Sequence, residues 1–234
     1  MKSALSETLT EGIYRRLKKD VVAGVFKPDQ KLKISDISEY TGASPSLVRE
    51  VLSRLIADGL VIAEPQKGFR TAPLKLAEFE QLTEARIAIE SMCLRDAILH
   101  GDIRWESDIV SALHALRRAK EEKGSRPVNA SPEWVQSHAL FHQALVRACQ
   151  NIWFLRMREM LYIQSERFRA IALPVTPSER NIGAEHEGIA AATIARDARL
   201  AVDLLTNHLQ STMRVLMNAA TYNNEKSKES PPIP

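Results

Sequence analysis

The stretch S-H-A-L-F-H-Q-A-L at residues 137–145 puts His138 and His142 four residues apart. On a helix their rings rise from one face, roughly 40° apart. Leu140, Phe141, Ala144 and Leu145 surround them. Imidazoles beside an apolar stripe serve as metal ligands, as acid–base groups, or as hydrogen-bonded residues at the edge of a core. Two further histidines fall in similar settings: His186 opens A-E-H-E-G-I-A-A-A, and His208 lies inside L-L-T-N-H-L-Q. The break between those two segments is as short as Asp197, so the helices pack antiparallel and can bring the two rings to one depth. Three or four imidazoles meeting inside a bundle would suit a divalent transition metal ion, Zn²⁺ or Ni²⁺. Taken singly, each is equally a hydrogen-bonded core residue. His100 and His114 are read that way.

Other chemistry is thinly represented. H-A-L-F-H lacks the glutamate that H-E-x-x-H supplies as a general base. Glu185 and Glu187 flank His186, but consecutive helical residues point away from one another. No serine or cysteine stands in a recognisable nucleophile setting, so the chain is read as no enzyme. Arg86 sits among Leu82, Ala85, Ile87 and Ile89. Turned inward beside a metal, its guanidinium would clamp a carboxylate. Periodicity alone equally allows a surface arginine paired with Glu90. Arg167, Arg169 and Tyr162 are read as solvated or structural.

The elements that must position these residues follow from composition and period. At 234 residues, with 44% apolar and 26% charged residues, the chain can bury one large or two modest cores. No apolar run reaches the ~18 residues needed to span a bilayer. M-K-S-A-L-S-E-T-L-T lacks the apolar centre of a secretory signal. Cys93 and Cys149 fall in helical patterns without a C-x-x-C pair, which suits the reduced thiols of a cytoplasm. The formal charge of +3 is carried entirely by residues 1–73, while residues 74–234 balance. A basic surplus confined to one third of the chain points weakly to nucleic acid.

The first third reads as three helices and a hairpin. Ile13, Leu17, Val21 and Val22 recur at helical spacing, and Gly24 suits a stop. Ser35 and Asp36 are candidate caps for a short helix through Tyr40. Thr41-Gly42-Ala43 gives a tight turn. Ser44 caps a third helix from Pro45, striped by Leu47, Val48, Val51, Leu52, Leu55 and Ile56 and ended by Asp58-Gly59. Residues 60–63 and 69–72 read as a hairpin. This is a helix-turn-helix followed by a wing. The start of the third helix offers free N–H groups and partial positive charge to phosphates. Arg49 can reach a phosphate or guanine, and Lys67 and Gly68 form the wing tip. Three helices and a hairpin also suit a protein-interaction module. From Leu76 onward the pattern is helical, with segments at 105–123, 132–149, 151–172, 183–195 and 198–220. They are separated by 124–129, Asn151, 174–177 and Asp197. Residues 222–234 are polar and proline-rich and read as a disordered tail.

G-V-F-K-P-D-Q-K-L, I-S-E-Y-T-G-A-S-P-S-L-V-R-E-V-L-S-R-L-I-A-D-G-L-V and Q-K-G-F-R-T-A-P resemble the winged-helix domain of GntR-family transcription regulators, over nearly all of residues 10–73. Residues 77–216 resemble the all-helical, FCD-type effector domain of the FadR-like branch, through E-A-R-I-A-I-E-S-M, F-H-Q-A-L, E-H-E-G-I and R-D-A-R-L-A-V-D-L-L-T-N-H-L. The resemblance implies operator contacts from Ser44, Ser46 and Arg49, with Lys67 and Gly68 in the wing; Ser35 is added to the DNA-contacting set. Many members have arginine where this chain has Pro45. The resemblance also puts His142, His186 and His208 on three metal-ligand positions and Arg86 in the effector pocket. Where the family usually has aspartate as fourth ligand, this chain has His138. Four imidazoles carry no charge, which leaves the ion's two positive charges to be balanced by a bound acid anion.

The expected protein is mainly α: a winged helix-turn-helix over 1–73, and an antiparallel all-helical bundle over 74–221 that binds effector and dimerises. The expected function is a cytoplasmic, homodimeric regulator, read as a repressor, of a near-palindromic operator in double-stranded DNA. It would respond to a small organic acid at the metal site and would not engage a membrane. The alternatives are a regulator whose helical domain only dimerises or binds ligand without metal, and a metalloenzyme.

Overall fold

The computed structural model describes residues 9–121, 131–172 and 180–229. The expected breaks at 124–129 and 174–177 lie outside the described residues. The chain divides into two compact units: one runs to Lys75 and includes Glu166–Ile171, and the other comprises Leu76–Ser165 and the chain from Ala172.

The first unit holds α1 (Leu9–Val22), β1 (Lys31–Leu32), α2 (Ile34–Thr41), α3 (Pro45–Ala57), β2 (Val61–Glu64) and β3 (Gly68–Thr71). The helical stripes named from sequence are the core: Ile13, Leu17, Val21, Ile37, Val48, Val51, Leu52 and Leu55 are all buried. Each such side chain contributes about 1.5–3 kcal/mol by leaving water. Ser44 caps α3 by accepting from the Leu47 N–H, and Pro45 stands in the first turn, where it has no hydrogen bond to lose. The helix ends in a Schellman motif. Gly59, at φ 69°, donates to the Ile56 carbonyl, and Leu60 donates to that of Leu55. Gly42, at φ 71°, makes the turn between α2 and α3 and donates to the Ser38 carbonyl at 2.8 Å.

Two local features differ from the sequence reading. β1 is a third strand, which pairs Lys31 with Arg70 and Leu32 with Phe69 in an antiparallel sheet of order β1-β3-β2. Two residues are too few to show a strand period. The chain then turns from that strand directly into α2, so Lys33 occupies the N-cap without a side-chain bond. Ser35 and Asp36, expected as caps, lie inside the first turn, where Ser35 Oγ donates to Asp36 Oδ1 at 2.8 Å.

The second unit is built from α4 (Leu76–His100), α5 (Ile103–Glu121), α6 (Pro132–Val146), α7 (Ile152–Ala172), α8 (Ile182–Ile194) and α9 (Ala198–Glu229). α9 runs beyond the expected end at 220 because its Glu and Lys residues are good helix formers, and proline first appears at position 231. Among the described residues, no helix is long and apolar enough to cross a membrane. The core joins Cys93, Leu94 and Ala97 of α4, Ile109 of α5, Phe141 and Leu145 of α6, Ile189 of α8, and Ala201 and Leu205 of α9.

The α8–α9 corner sets the depth at which those two helices meet. Arg196 takes a left-handed conformation, φ 61°, and Asp197 donates back to Ala192 while accepting from the Leu200 N–H at 2.9 Å. That backbone state costs about 1–2 kcal/mol for a residue with a Cβ. The Arg196 guanidinium offsets it by donating to the carbonyls of Ile98 and Gly101, at 2.7 and 2.9 Å, and to Glu106.

The α4–α5 corner is equally constrained. Trp105 is buried and donates its indole N–H to the Ala144 carbonyl at 2.8 Å. A Cβ added at Gly101 would stand 2.0 Å from the Trp105 ring. Gly101→Ala is therefore expected to destabilise the protein by about 1–3 kcal/mol through overpacking, read as a lowered midpoint in urea denaturation. A glycine tolerant of alanine here would contradict this packing.

Candidate metal centre

Three helices deliver the four histidines. α6 begins at Ser131, whose hydroxyl accepts from the Trp134 N–H at 3.1 Å, and then carries His138 and His142 one turn apart. α8 is capped by Asn181, which accepts from Ala184, and places His186 in its second turn. α9 returns from the Arg196 corner and brings in His208. All four are buried. One ligand atom from each lies within 4.8 Å of all the others. The ring centroids of His138 and His142 are 4.5 Å apart, and those of His186 and His208 are 4.7 Å apart.

This geometry fits an ion. Nε2 of His142 lies 3.1 Å from Nε2 of His138. Two nitrogens each ~2.1 Å from one metal, at tetrahedral to octahedral angles, are separated by about 3.0–3.4 Å. Nδ1 of His142 is buried and has no hydrogen-bond partner among the described residues. An unmatched buried polar atom costs about 1–3 kcal/mol, and an ion held by Nε2 would leave this second nitrogen, on the other side of the ring, as it is. The rings are also held in orientation. The Trp134 ring stacks on His138 at 4.7 Å and 18°, and Phe141 abuts His186 at 5.0 Å.

The protonation states suit coordination. Burial holds His142 well below the ordinary imidazole range, reinforced by the neighbouring His208 and His186 and then by the charges of Arg86 and Arg158. Burial also lowers His208, although its hydrogen bond to Glu185 opposes the shift. Neutral rings are the ligand form.

Two residues that sequence reasoning missed support this set. Glu185 accepts from Nδ1 of His208 at 2.8 Å, which turns the other ring nitrogen toward the cluster. A carboxylate behind a ligating histidine fixes its tautomer. Glu185 precedes His186 in sequence, and its carboxylate is engaged by the adjacent helix at His208. Arg180 grips Glu185 and donates to the His208 carbonyl at 2.8 Å and to Thr212 Oγ1 at 2.9 Å. Burial opposes ionisation of Glu185, but the bonds from His208 and Arg180 prevail and bring its pKa to about 2. No sequence signal pointed to Arg180.

Arg86 is buried rather than on the surface, yet it is paired with Glu90. Its side chain is buried, and its Nε donates to Glu90 Oε1 at 3.3 Å. Glu90 also accepts from Nε of Arg158 at 2.9 Å, and the Tyr162 ring lies about 5 Å from both guanidiniums. His100 stays outside the site, bonded to the Asp96 carbonyl, and His114 is exposed on α5. In the first unit, Ser35, Ser44, Ser46, Arg49, Lys67 and Gly68 are all exposed. Arg54, Lys18 and Arg70 are engaged with Glu11, Asp58 and Glu64, whereas Arg49 and Lys67 form no ion pair among the described residues.

Residues 9–70 match the gntR family of bacterial regulatory proteins, and residues 81–211 match the FCD domain. The chain belongs to the GntR family. It is 35% identical over 89% of its length to an uncharacterized HTH-type transcriptional regulator, BphR, of Paraburkholderia xenovorans, covering 85% of that protein. It is 32% identical over 90% of its length to the HTH-type transcriptional repressor GlaR of Escherichia coli, covering 96% of it. Among solved structures, Escherichia coli McbR/YncC superposes with a TM-score of 0.77 at 20% identity, over 90% of this chain and 98% of that one. A putative GntR regulator from Rhodococcus sp. RHA1 gives 0.72 at 18%, with the same coverage. The chain is thus a DNA-binding transcriptional regulator with an FCD domain, and its relatives are regulators, not enzymes.

Glu185→Gln keeps the shape of the side chain but weakens its hold on His208. It is expected to lower affinity for a divalent transition ion by about 10–100-fold, measured by competition against a chromogenic chelator. Unchanged affinity would exclude the supporting role of this carboxylate.

Proposed function

We propose that this GntR regulator is a homodimeric, cytoplasmic repressor that senses a small organic acid at a divalent transition metal ion, zinc or nickel. His138, His142, His186 and His208 would hold the ion, and Arg86 would clamp the acid. The observation that carries this reading is the convergence of four buried imidazoles, one ligand atom from each within 4.8 Å of the rest. When bound, the ion supplies a Lewis-acidic positive charge on which a carboxylate can rest. The four neutral rings add no negative charge, so the anion is left to the ligand. Arg86, buried beside Glu90, is pre-oriented to bond one carboxylate.

The winged helix reads the operator. The exposed start of α3, with Ser44, Ser46 and Arg49, faces the major groove, Ser35 meets the backbone, and Lys67 and Gly68 reach the adjacent minor groove. Pro45 removes a donor that many members use on bases, so Arg49 carries a larger share of the direct readout. Two copies bind two half-sites of a near-palindromic operator. Acid binding in the helical unit lowers operator affinity, a coupling of about 1–3 kcal/mol. The name of GlaR as a repressor supports the sign.

Two outcomes test this reading. Metal analysis of purified protein is expected to find one ion per chain, lost in a His142→Ala, His186→Ala, His208→Ala triple variant; wild type that binds no divalent ion would refute the centre. On a duplex obtained by binding-site selection, Arg49→Ala is expected to weaken binding by about 1–3 kcal/mol, and Lys67→Ala to reduce the salt slope by about one unit. Fluorescence anisotropy across a salt series measures both, and wild-type affinity in either variant would remove that residue from the interface.

A further inference from the structure

Asp96 on α4 brings two thiols together. Its Oδ2 accepts the backbone N–H groups of Gln150 and Asn151, at 2.6 and 3.4 Å, and so pins the corner between α6 and α7 against α4. Cys149 immediately precedes that pinned pair, and Cys93 stands three residues before Asp96, on the same face of the helix. Both cysteines are free and buried, and both belong to the apolar core of the helical unit. Each thiol is a side-chain hydrogen-bond partner of the other. Asp96 and the Asn151 carbonyl, at 3.8 Å, are the other acceptors in reach of the Cys149 thiol.

The pair is quiet at rest. Burial pushes the Cys93 thiol up to about 12, with Cys149 and Glu90 adding to the effect. Burial also raises Cys149, as does its bond to Asp96. Protonated thiols are poor nucleophiles and poor metal ligands, so weak oxidants leave both reduced. An abundant small oxidant meets them unequally. Cys149 is 6% exposed at a turn of the chain, whereas Cys93 is wholly enclosed. A sulfenic acid formed at Cys149 then lies beside a second thiol, the setting in which it condenses to a disulfide.

We propose that Cys93 and Cys149 are an oxidation site, which a hydroperoxide converts to an intramolecular disulfide between α4 and the α6–α7 corner. The Cys149 sulfur attacks the O–O bond, becomes a sulfenic acid, and the departing oxygen leaves as water or an alcohol with the thiol proton. The Cys93 sulfur then attacks the Cys149 sulfur. The S–S bond forms as the S–O bond breaks, and the hydroxyl leaves as water with the Cys93 proton. In all, two thiols lose two electrons and one O–O bond is reduced. The bridge ties the helix that carries Arg86 and Glu90 to the end of the one that carries His138 and His142. It needs neither metal nor acid, so it stands apart from the function proposed above.

The test treats full-length protein with a hydrogen peroxide series, alkylates the remaining thiols in denaturant, and reads intact mass and non-reduced peptide maps. Wild type is expected to lose about 2 Da, the two thiol hydrogens, and to give one bridged peptide pair that dithiothreitol separates. Cys93→Ala removes the resolving thiol, and its Cys149 is expected to gain about 32 Da as a sulfinic acid. Oxidised wild type is expected to unfold at a higher urea concentration than reduced protein, because the cross-link restricts the unfolded chain. Wild type alone decides the matter, whether or not the variant folds. Two alkylatable thiols after excess peroxide would overturn the inference, as would sulfinic acid at Cys149 without a bridge, or a bridge between two chains. A lower urea midpoint after oxidation would show that the bond displaces the helices it joins, and would overturn the site as well.

Discussion

Four polar rings enclosed by Leu, Ile, Phe and Ala side chains are the constraint on which the helical unit turns. Imidazoles are poor core residues unless their nitrogens are matched, and desolvation holds His142 in its neutral form. Everything around them works to match or orient them: Trp134 against one face of His138, Glu185 behind His208, and Arg180 behind Glu185. This arrangement is expensive as packing and sensible as a binding site. A regulator gains by having a region whose stability is completed by something it binds, because ligands that bind only the folded form then report directly on its state.

The two units divide the physical labour. The winged helix is conventional in its energetics: amphipathic stripes meet in one apolar core, glycines take most of the left-handed positions, with Asp29 and Gln66 in the others, and a proline starts the recognition helix. Arg15, Arg16, Lys18, Arg54 and Arg70 are tied to acidic neighbours, whereas Arg49 and Lys67 are exposed without ion pairs among the described residues. The helical unit instead places charge inside, with Arg86 and Arg158 sharing the buried Glu90. Buried charge of this kind adds little to stability and much to selectivity.

Sequence and structure agree best where one periodic stripe decides an element. The apolar series from Leu47 to Ile56 gave α3 within a residue at either end, because cap, proline and terminal Gly59 all act locally. The histidines at 138 and 142 were legible as a pair, since helical spacing alone puts them on one face. Agreement fails where a partner comes from a distant segment. The two-residue β1 exists only because β3 offers it hydrogen bonds, and it displaced Ser35 from the cap. The reach of Glu185 to His208 on α9 is likewise absent from the local pattern around His186.

The order of helices, the winged helix-turn-helix, the candidate ligand types and the confinement of excess charge to the first third are properties of local pattern and composition, and the sequence by itself determined them. That His186 and His208 meet His138 and His142, that Arg86 is both buried and paired, that Arg158 shares Glu90 with it, and that Arg180 braces His208 depend on how separate helices pack. A corner such as Arg196, held by carbonyls from nearly a hundred residues earlier in the chain, fixes that packing. Only the tertiary structure decided it, because side-chain direction across helices is set by long-range contacts that no local window of residues contains.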